Sequence, residues 1–203
     1  MEKQRKWLRE KANKVKECRS KYLIAVLENP SDIKNIWAVI RNINALWVEK
    51  LYIVDSKWKL PKDWESIRWK RILMATSVSA VKWTFVKTFS STQECIEHLK
   101  SKWFVSIVTS PHVKWKVNVS LPEWNYTQSK LAVWFGNESV WISDLAIEES
   151  IACISIPMCG IIESFNLAVS TWIVLYEIVK QRREYLKTHK NKRRKEPLII
   201  KEK

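Results

Sequence analysis

Apolar runs alternate with amphipathic stretches along most of the chain, and this alternation predicts its elements. Short apolar runs such as 22–27 and 104–109 are typical of strands that are buried on both faces. Longer stretches with apolar residues three or four positions apart, such as 35–46, indicate amphipathic helices. The pattern predicts strands at 22–27, 50–54, 83–89, 104–109, 130–135 and 151–156, and helices at 2–22, 35–46, 61–80, 91–102, 143–149 and 164–187. Repeated strand–helix units of this length predict an α/β fold with a mostly parallel sheet and helices on both faces.

The basic charge lies mainly at the two ends. The chain has 203 residues and a formal net charge of +15, and its length suits one domain with a sizeable core. Residues 1–22 and 180–203 hold most of the excess of Lys and Arg, and the segment between them is nearly neutral. We predict a basic amino-terminal helix at 1–22, a central domain at 23–180 and a basic extension at 181–203. Two basic arms favour a nucleic-acid partner over solvated tails that only aid solubility.

Composition disfavours several classes of protein. No stretch of eighteen residues is uninterruptedly apolar, and the longest candidate, 161–179, contains two glutamates and an asparagine, so we predict no membrane span. The charged amino terminus disfavours a secretory signal. The four cysteines form no Cys-x-x-Cys pair and have no histidines nearby. We therefore predict a reduced, cytoplasmic protein without a metal site.

Three segments combine apolar runs with polar residues at fixed places. The first, Asn35-Ile-Trp-Ala-Val-Ile-Arg41, sets two polar side chains six residues apart. The second is an apolar strand that ends on Gly136-Asn-Glu138. The third, Ile-Pro-Met-Cys-Gly-Ile-Ile-Glu-Ser-Phe-Asn at 156–166, links the last predicted strand to the last predicted helix. In that order the segments resemble the signature motifs of the SpoU/TrmH family of RNA ribose 2'-O-methyltransferases, and the resemblance spans most of the chain.

The resemblance implies properties that periodicity does not show. Members of this family have the SPOUT α/β fold, whose carboxy-terminal third forms a trefoil knot, a rare exception to the rule that chains do not knot. They bind S-adenosyl-L-methionine in the knot and act as homodimers with active sites at the interface. The resemblance therefore predicts S-adenosyl-L-methionine as the cofactor, and RNA and a second copy of the chain as partners.

Arg41 is the residue that we expect at the centre of the reaction. Its counterpart in the family is proposed to activate the ribose 2'-hydroxyl. Because arginine stays protonated in proteins, we favour a clamp on an RNA phosphate or on the developing oxyanion over proton abstraction. The resemblance gives Asn35 a role in orienting Arg41 or in contacting the nucleotide. The alternatives are a solvent-facing helix arginine and an ordinary helix N-cap.

The second and third motifs supply the other expected site residues. Glu138 matches the family glutamate that organises the site across the interface. Ser164 and Asn166 match a polar pair that faces the reaction centre, with simple helix caps as the alternative. By alignment, the residues expected to line the cofactor pocket are Thr109, Gly136, Ile156, Met158 and Phe165, the last of which replaces the usual leucine. For each of these the alternative is a plain core position.

Within the family, the short amino terminus and the Lys-Gln-Arg-Arg run at 180–183 most resemble the branch that methylates guanosine 18 of tRNA. That branch lacks a large separate RNA-binding domain. The resemblance therefore implies that the basic arms hold tRNA phosphates, which gives affinity without base readout. Three alternatives stay open: methylation of ribosomal RNA, methylation of the tRNA wobble ribose, and a non-catalytic RNA-binding protein built on the same knot.

Tryptophan and glycine occur in unusual proportions. The chain has 13 Trp and 2 Gly, whereas glycine alone averages about 7% of residues. Tryptophans that stand where the family carries glycine are Trp37, Trp47, Trp103 and Trp141, and those in polar turn contexts are Trp58, Trp115 and Trp124. Our hypothesis is that the source organism decodes UGA as glycine, while the sequence as written translates it as tryptophan. Trp64, Trp83 and Trp134 match places where relatives tolerate an aromatic, and the alternative is a genuinely Trp-rich protein.

Overall fold

The computed structural model describes residues 10, 20–57, 80–111, 118–137 and 139–189. Its centre is a seven-stranded sheet in the order β3-β2-β1-β6-β4-β7-β5, with every pairing parallel. The strands are β1 (Ser20–Glu28), β2 (Val48–Val54), β3 (Phe85–Phe89), β4 (Val105–Thr109), β5 (Asn118–Ser120), β6 (Leu131–Phe135) and β7 (Cys153–Ser155). The helices are α1 (Ile33–Ala45), α2 (Thr92–Ser101), α3 (Asp144–Glu148) and α4 (Leu167–Thr188). Across the described residues, no helix is both long and apolar enough to cross a lipid bilayer.

The sheet separates two apolar layers. Successive side chains of β1 point to opposite faces, so Leu23, Ala25 and Leu27 pack on one side with α1 and α4. Ile24 and Val26 pack on the other side with α2 and α3. All five side chains are fully buried, which explains why this strand is apolar throughout. The predicted fold class, a mostly parallel sheet with helices on both faces, is confirmed, and the trefoil knot stays a prediction.

The first strand begins earlier than the apolar pattern predicts. The predicted helix at 2–22 is wrong at its end, because β1 already begins at Ser20. The Ser20 amide donates to the Trp47 carbonyl at 2.8 Å and so joins the chain to the region before β2. Before β1 the structure describes only Glu10, which is helical. Tertiary pairing therefore overrides the local preference for a helix at this boundary.

Other differences concern element ends and one short strand. The apolar pattern does not predict β5, because three residues are too few to show a period. β7 is shorter than the predicted strand 151–156, and α4 starts three residues later than predicted. The predicted helix 61–80 lies outside the described residues, apart from its last residue, which begins a 3-10 turn.

The parallel pairing brings the carboxyl ends of neighbouring strands to one edge of the sheet. Thr109 at the end of β4 lies opposite Phe135 at the end of β6 and opposite Ile154 of β7. Ligands of α/β proteins usually bind beyond this edge. The second and third motifs follow β6 and β7, so the fold delivers both of them to the same edge.

Candidate functional site

A cavity of about 300 Å³ opens at the carboxyl edge of β4, β6 and β7. Phe135, Ile142 and Ile154 contribute apolar surface to its wall, and Ser110 and Glu163 contribute polar groups. Ligand pockets commonly have a volume of roughly 300–1,000 Å³ and an apolar lining with a few polar groups. The cavity therefore has the size and chemistry of a small-molecule site.

The cavity gathers the residues expected to bind the cofactor. All five line it, namely Thr109, Gly136, Ile156, Met158 and Phe165. The Thr109 hydroxyl donates to the Trp134 carbonyl at 2.9 Å, which holds that side chain at the end of the sheet. Ile156 and Met158 are half-buried and Phe165 is exposed. These three side chains are therefore not plain core, although their role in binding stays a prediction.

Gly136 stands where the loop after β6 passes close to its own start. A Cβ atom on Gly136 would lie 2.4 Å from the Trp141 carbonyl carbon and 2.4 Å from the Ile142 amide nitrogen. No side chain fits at such distances without moving the backbone. Glycine is therefore required here by the close approach of two backbone segments at the cavity wall.

Asn137 is a site residue whose role the sequence alone does not predict. Its side-chain oxygen accepts hydrogen bonds from the amides two and three positions later, at 2.7 and 3.2 Å. Its side-chain amide donates to the Asn29 carbonyl, and its backbone exchanges two hydrogen bonds of 3.1 Å with Trp141. Asn137 therefore shapes the loop that forms one wall of the cavity. Its place inside the second motif was the available signal.

The first and third motifs meet beside the cavity. The Asn166 side-chain amide donates to Asn35 Oδ1 at 3.0 Å, across 131 positions of sequence. Asn166 Oδ1 also accepts from the Ala168 amide at 2.9 Å, which makes Asn166 the N-cap of α4. Asp32, and not Asn35, is the N-cap of α1. Asn35 is therefore not a helix N-cap. Asn166 is one, but its side chain also binds Asn35.

The other catalytic candidates take different positions. Ser164 lies on the cavity wall and is exposed. Arg41 is exposed on α1, six residues after Asn35, so its Cα lies about 9 Å further along the helix axis. It does not line the cavity. Glu138 lies outside the described residues. The structure thus brings Ser164 and Asn166 to the cavity and leaves Arg41 accessible to a larger substrate.

The described thiols fall into two groups. Cys153 on β7 is buried, and burial raises its pKa to about 11. Burial also raises the pKa of Cys95 on α2 far above its usual range. Cys159, which follows the wall residue Met158, is exposed. Because the thiolate is the nucleophile, neither buried cysteine is a reactive group near neutral pH.

Known proteins resemble this chain in both sequence and fold. The SpoU rRNA Methylase family matches residues 22–176. The tRNA (guanosine(18)-2'-O)-methyltransferase of Aquifex aeolicus is 31% identical over 186 residues, which are 91% of this chain and 79% of that protein. The 23S rRNA (adenosine(1067)-2'-O)-methyltransferase of Streptomyces azureus is 30% identical over 154 residues, 76% of this chain and 53% of that protein. The solved A. aeolicus TrmH/SpoU tRNA modifying enzyme has a TM-score of 0.72 at 28% identity and covers 88% of this chain and 85% of that one.

Proposed function

This chain belongs to the SpoU rRNA methylase family, and we propose that it methylates the ribose 2'-hydroxyl of guanosine 18 in tRNA with S-adenosylmethionine as the methyl donor. The A. aeolicus relative, whose name states this activity, aligns with 91% of this chain. The S. azureus relative, named for ribosomal RNA, aligns with 76% of this chain and with only 53% of its own length. The balance of these similarities supports tRNA as the substrate.

The observation that carries the proposal is the cavity shared by two separate motifs. The five residues that we expect to bind the cofactor lie together on its wall. The hydrogen bond between Asn166 and Asn35 joins the first motif to the same wall. Residues so far apart in sequence meet here at the edge where α/β proteins bind ligands. This convergence supports an active site rather than a structural core.

The chemistry of the cavity suits S-adenosylmethionine. Ile154, Ile156 and Phe165 offer apolar faces for the adenine ring, and Glu163 on the same wall offers a negative charge for the cationic parts of the molecule. When bound, the cofactor supplies an electrophilic methyl group on a sulfonium. Burial of the adenosine against these side chains would fix its orientation and exclude water from it.

The chain's polar residues have separate tasks in this proposal. Methyl transfer needs the 2'-hydroxyl oxygen in line with the methyl group, and a stabilised oxyanion as the hydroxyl proton passes to water. Ser164 and Asn166 position the ribose from the cavity wall, and Asn35 holds the Asn166 amide in place. The exposed guanidinium of Arg41 binds an RNA phosphate or the developing oxyanion with paired, charge-assisted hydrogen bonds. Glu138 keeps its expected role across the dimer interface.

Binding of tRNA is assigned to the basic arms. Residues 1–22 and 180–203 carry most of the net charge of +15. Contacts between these side chains and phosphates release counterions, which gives affinity that does not depend on sequence. The nearly neutral segment between the arms then binds the single nucleotide that is methylated, at the cavity.

A homodimer is part of the proposal because one face of α4 is apolar and exposed. Val169, Trp172 and Tyr176 are 44%, 40% and 53% exposed, and they follow each other at intervals of three and four residues along the helix. Ile161 and Ile162, in the loop before the helix, are exposed as well. Exposed apolar side chains on one helix face are typical of an interaction site. A second copy is the occupant that the family resemblance predicts, and the loop that carries Ile161 and Ile162 also contributes Met158 and Glu163 to the cavity wall.

Sedimentation velocity tests the dimer. Val169→Asp should convert the dimer to a monomer and lower methyl transfer, because it places a charge in the apolar face. Ile151 is a matched control, since it is 47% exposed on the loop before β7. Ile151→Asp should leave the dimer intact. A dimer that survives Val169→Asp would contradict the proposed face.

Methyl transfer from labelled S-adenosylmethionine to a tRNA transcript tests the function. The transcript should be compared with the same tRNA already 2'-O-methylated at guanosine 18. Label in the unmodified transcript alone would support both the reaction and the position. Equal label in both would move the target to another nucleotide, and label in ribosomal RNA alone would favour the ribosomal alternative. A folded dimer that labels no RNA would contradict the proposal and favour the non-catalytic RNA binder.

A further inference from the structure

Tryptophan occupies backbone conformations that normally require glycine. Positive φ among the described non-glycine residues occurs at Asn29 (48°), Trp47 (66°), Trp103 (61°) and Trp141 (63°), and neither described glycine has a positive φ. In this left-handed region the Cβ atom approaches the following carbonyl oxygen, so only glycine and, less often, asparagine or aspartate adopt it routinely. Three tryptophans at such positions are three outliers of the same residue type.

Trp103 ends α2 in a Schellman motif. The Trp103 amide donates to the Lys100 carbonyl at 2.9 Å, and the Phe104 amide donates to the Leu99 carbonyl at 3.0 Å. This pair of bonds needs a left-handed residue just after the helix cap, a position that is usually glycine. The Trp103 side chain is 82% exposed. Burial of the indole therefore does not offset the backbone strain.

Trp47 and Trp141 stand at two further turns. Trp47 follows the C-cap Leu46 of α1, and its amide donates to the Asn44 carbonyl at 3.1 Å, as a left-handed residue after a helix does. Trp141 closes the loop that passes Gly136, where the Trp141 carbonyl oxygen would lie 2.6 Å from an added Cβ. Both positions therefore need a backbone freedom that tryptophan lacks.

Trp134 has a different environment. It lies in β6 without a positive φ, is fully buried, and donates its indole N–H to Ser106 Oγ at 3.2 Å. A buried indole with a satisfied N–H is an ordinary use of tryptophan. Trp37, which is buried in α1, also has no positive φ. Among the described tryptophans, the anomaly therefore concerns some positions and not others.

We propose that the natural protein has glycine at positions 47, 103 and 141 and tryptophan at position 134. The sequence with 13 Trp and 2 Gly would then result from reading a UGA codon as tryptophan where the organism reads it as glycine. The backbone supports this independently of composition, because the three turns demand glycine by their geometry.

Peptide masses from the natural protein test the assignment directly. Tryptic peptides 42–50 and 103–114, and the peptide that spans 131–180, contain all four positions. We expect fragment masses of glycine at 47, 103 and 141 and of tryptophan at 134. Tryptophan masses at 47, 103 and 141 would overturn the proposal.

Stability of the chain as written gives a second test. Trp47→Gly, Trp103→Gly and Trp141→Gly should each lower the unfolding equilibrium constant, roughly tenfold for each relieved left-handed position. Trp134→Gly is the matched control and should raise it, because it empties a buried site. A triple variant that folds when the unaltered chain does not would also support the proposal. Loss of stability at all four positions would contradict it.

A different observation concerns Glu28 at the end of β1. Its side chain is 2% exposed, and its carboxylate is satisfied by neighbours from two other parts of the chain. Oε1 accepts from the hydroxyls of Thr92 at 2.5 Å and Ser143 at 2.7 Å, and Oε2 accepts from the Ser143 amide at 2.8 Å. A buried carboxylate is stable only when paired in this way. These bonds tie the end of β1 to the residue that caps α3.

Ser143 ends the loop that forms the cavity wall. It directly follows Ile142, which lines the cavity, and it is the N-cap of α3. The start of the same loop is held by the hydrogen bond from Asn137 to the carbonyl of Asn29, the residue after Glu28. The loop is therefore anchored at both ends to two adjacent residues, while Glu28 itself does not line the cavity.

We infer that Glu28 is a positioning residue for the cofactor cavity, an inference that rests on the proposed function. Glu28→Gln keeps the shape of the side chain but replaces an acceptor oxygen by a donor next to the Ser143 amide. S-adenosylmethionine should then bind roughly tenfold more weakly, while kcat at saturating cofactor stays within about twofold. Thr92→Val is the matched control. It removes the bond from α2 to the same carboxylate and should leave cofactor affinity unchanged.

Calorimetry and amide hydrogen exchange separate the possible failures. Exchange at residues 139–143 should become faster in Glu28→Gln, with α4 unaffected. Unchanged exchange there would overturn the positioning role, whether or not the cofactor binds. An unaltered protein that binds no S-adenosylmethionine would contradict the proposed function instead. Faster exchange with an equal fall in kcat and in cofactor affinity would show a general structural role and would also overturn the inference.

Discussion

The side chain of Asn166 has two hydrogen-bond partners, one local and one in a distant motif. Its side-chain oxygen accepts the Ala168 amide and begins α4, which is a local contact. Its side-chain amide donates to Asn35, which is a contact between two motifs. Asn166→Ser can separate the two roles. Serine caps helices well, but its side chain is too short to reach Asn35 on α1.

For Asn166, stability and activity should separate. Asn166→Ser should retain the unfolding free energy, whereas Asn166→Ala should lose about 1 kcal/mol with the cap. Both should lower kcat/KM for tRNA, roughly tenfold, because both lose the bond to Asn35. Thermal unfolding and methyl-transfer kinetics measure the two effects. A double variant that carries both Asn166→Ser and Asn35→Ala should be as active as Asn166→Ser alone. If the two losses of activity add instead, Asn35 does not act through Asn166.

Arg41 should affect turnover and not cofactor affinity. Arg41→Ala should lower kcat by roughly 10² or more, the usual loss when a donor to a developing oxyanion is removed. Arg41→Lys should recover only part of this, since an ammonium lacks the planar pair of donors. Calorimetry should find unchanged S-adenosylmethionine binding, because Arg41 does not line the cavity. Lys34→Ala, at another exposed position of α1, is the control. Weaker cofactor binding in Arg41→Ala would contradict this assignment.

At the scale of elements, most residues of the segment 156–166 are exposed to solvent, and several of them also line the cavity. The segment connects β7 to α4 without regular structure. Because most of its residues are exposed, reagents can reach them. A bound ligand should therefore change its accessibility more than that of either flanking element.

Cys159 reports on that segment. Iodoacetamide at pH 8 should alkylate Cys159, which is exposed. It should not alkylate Cys153, because burial raises the pKa of that thiol to about 11. S-adenosylmethionine should slow alkylation of Cys159, because the neighbouring Met158 lies on the cavity wall. Peptide mass spectrometry measures both rates. In urea, Cys153 should react as fast as Cys159. Equal reaction of the two in the native protein would contradict the described burial.

At the scale of the whole molecule, charge is separated from the catalytic cavity. Residues 190–203 belong to the strongly basic carboxyl end. Their removal should weaken tRNA binding and flatten its dependence on salt, by about 0.9 in the log–log slope for each lost phosphate contact. Cofactor affinity should not change. Filter binding at several salt concentrations measures this, with an uncharged tail of equal length as the control. An unchanged slope would contradict the role of this arm.

Most of the fold could be predicted because the information is local. The apolar runs 22–27 and 130–135 are continuous enough to define buried strands, and they became β1 and β6. β5 could not be predicted, because its three residues owe their conformation to pairing with β7. The start of α4 was misplaced for a similar reason, since the cap at Asn166 depends on which polar residue accepts the first free amides.

The candidate site divides in the same way. The five residues expected to bind the cofactor were named from the family resemblance, and all five line one cavity. The roles of Asn137 and Glu28 could not be predicted, because each depends on a partner more than 60 positions away or on a buried environment. Sequence spacing does not reveal such partners, because they come into contact only when the strands pair.

The sequence by itself determined the apolar strands, the helix periods, the motif residues and the charged ends, since each depends on neighbours within a few positions. It also held the contrast between tryptophan and glycine. The tertiary structure decided that Asn166 meets Asn35, that Glu28 anchors the cavity wall, and that Trp47, Trp103 and Trp141 occupy left-handed turns. The physical reason is that contacts between distant segments, and the backbone angles those contacts impose, exist only after the parallel strands align.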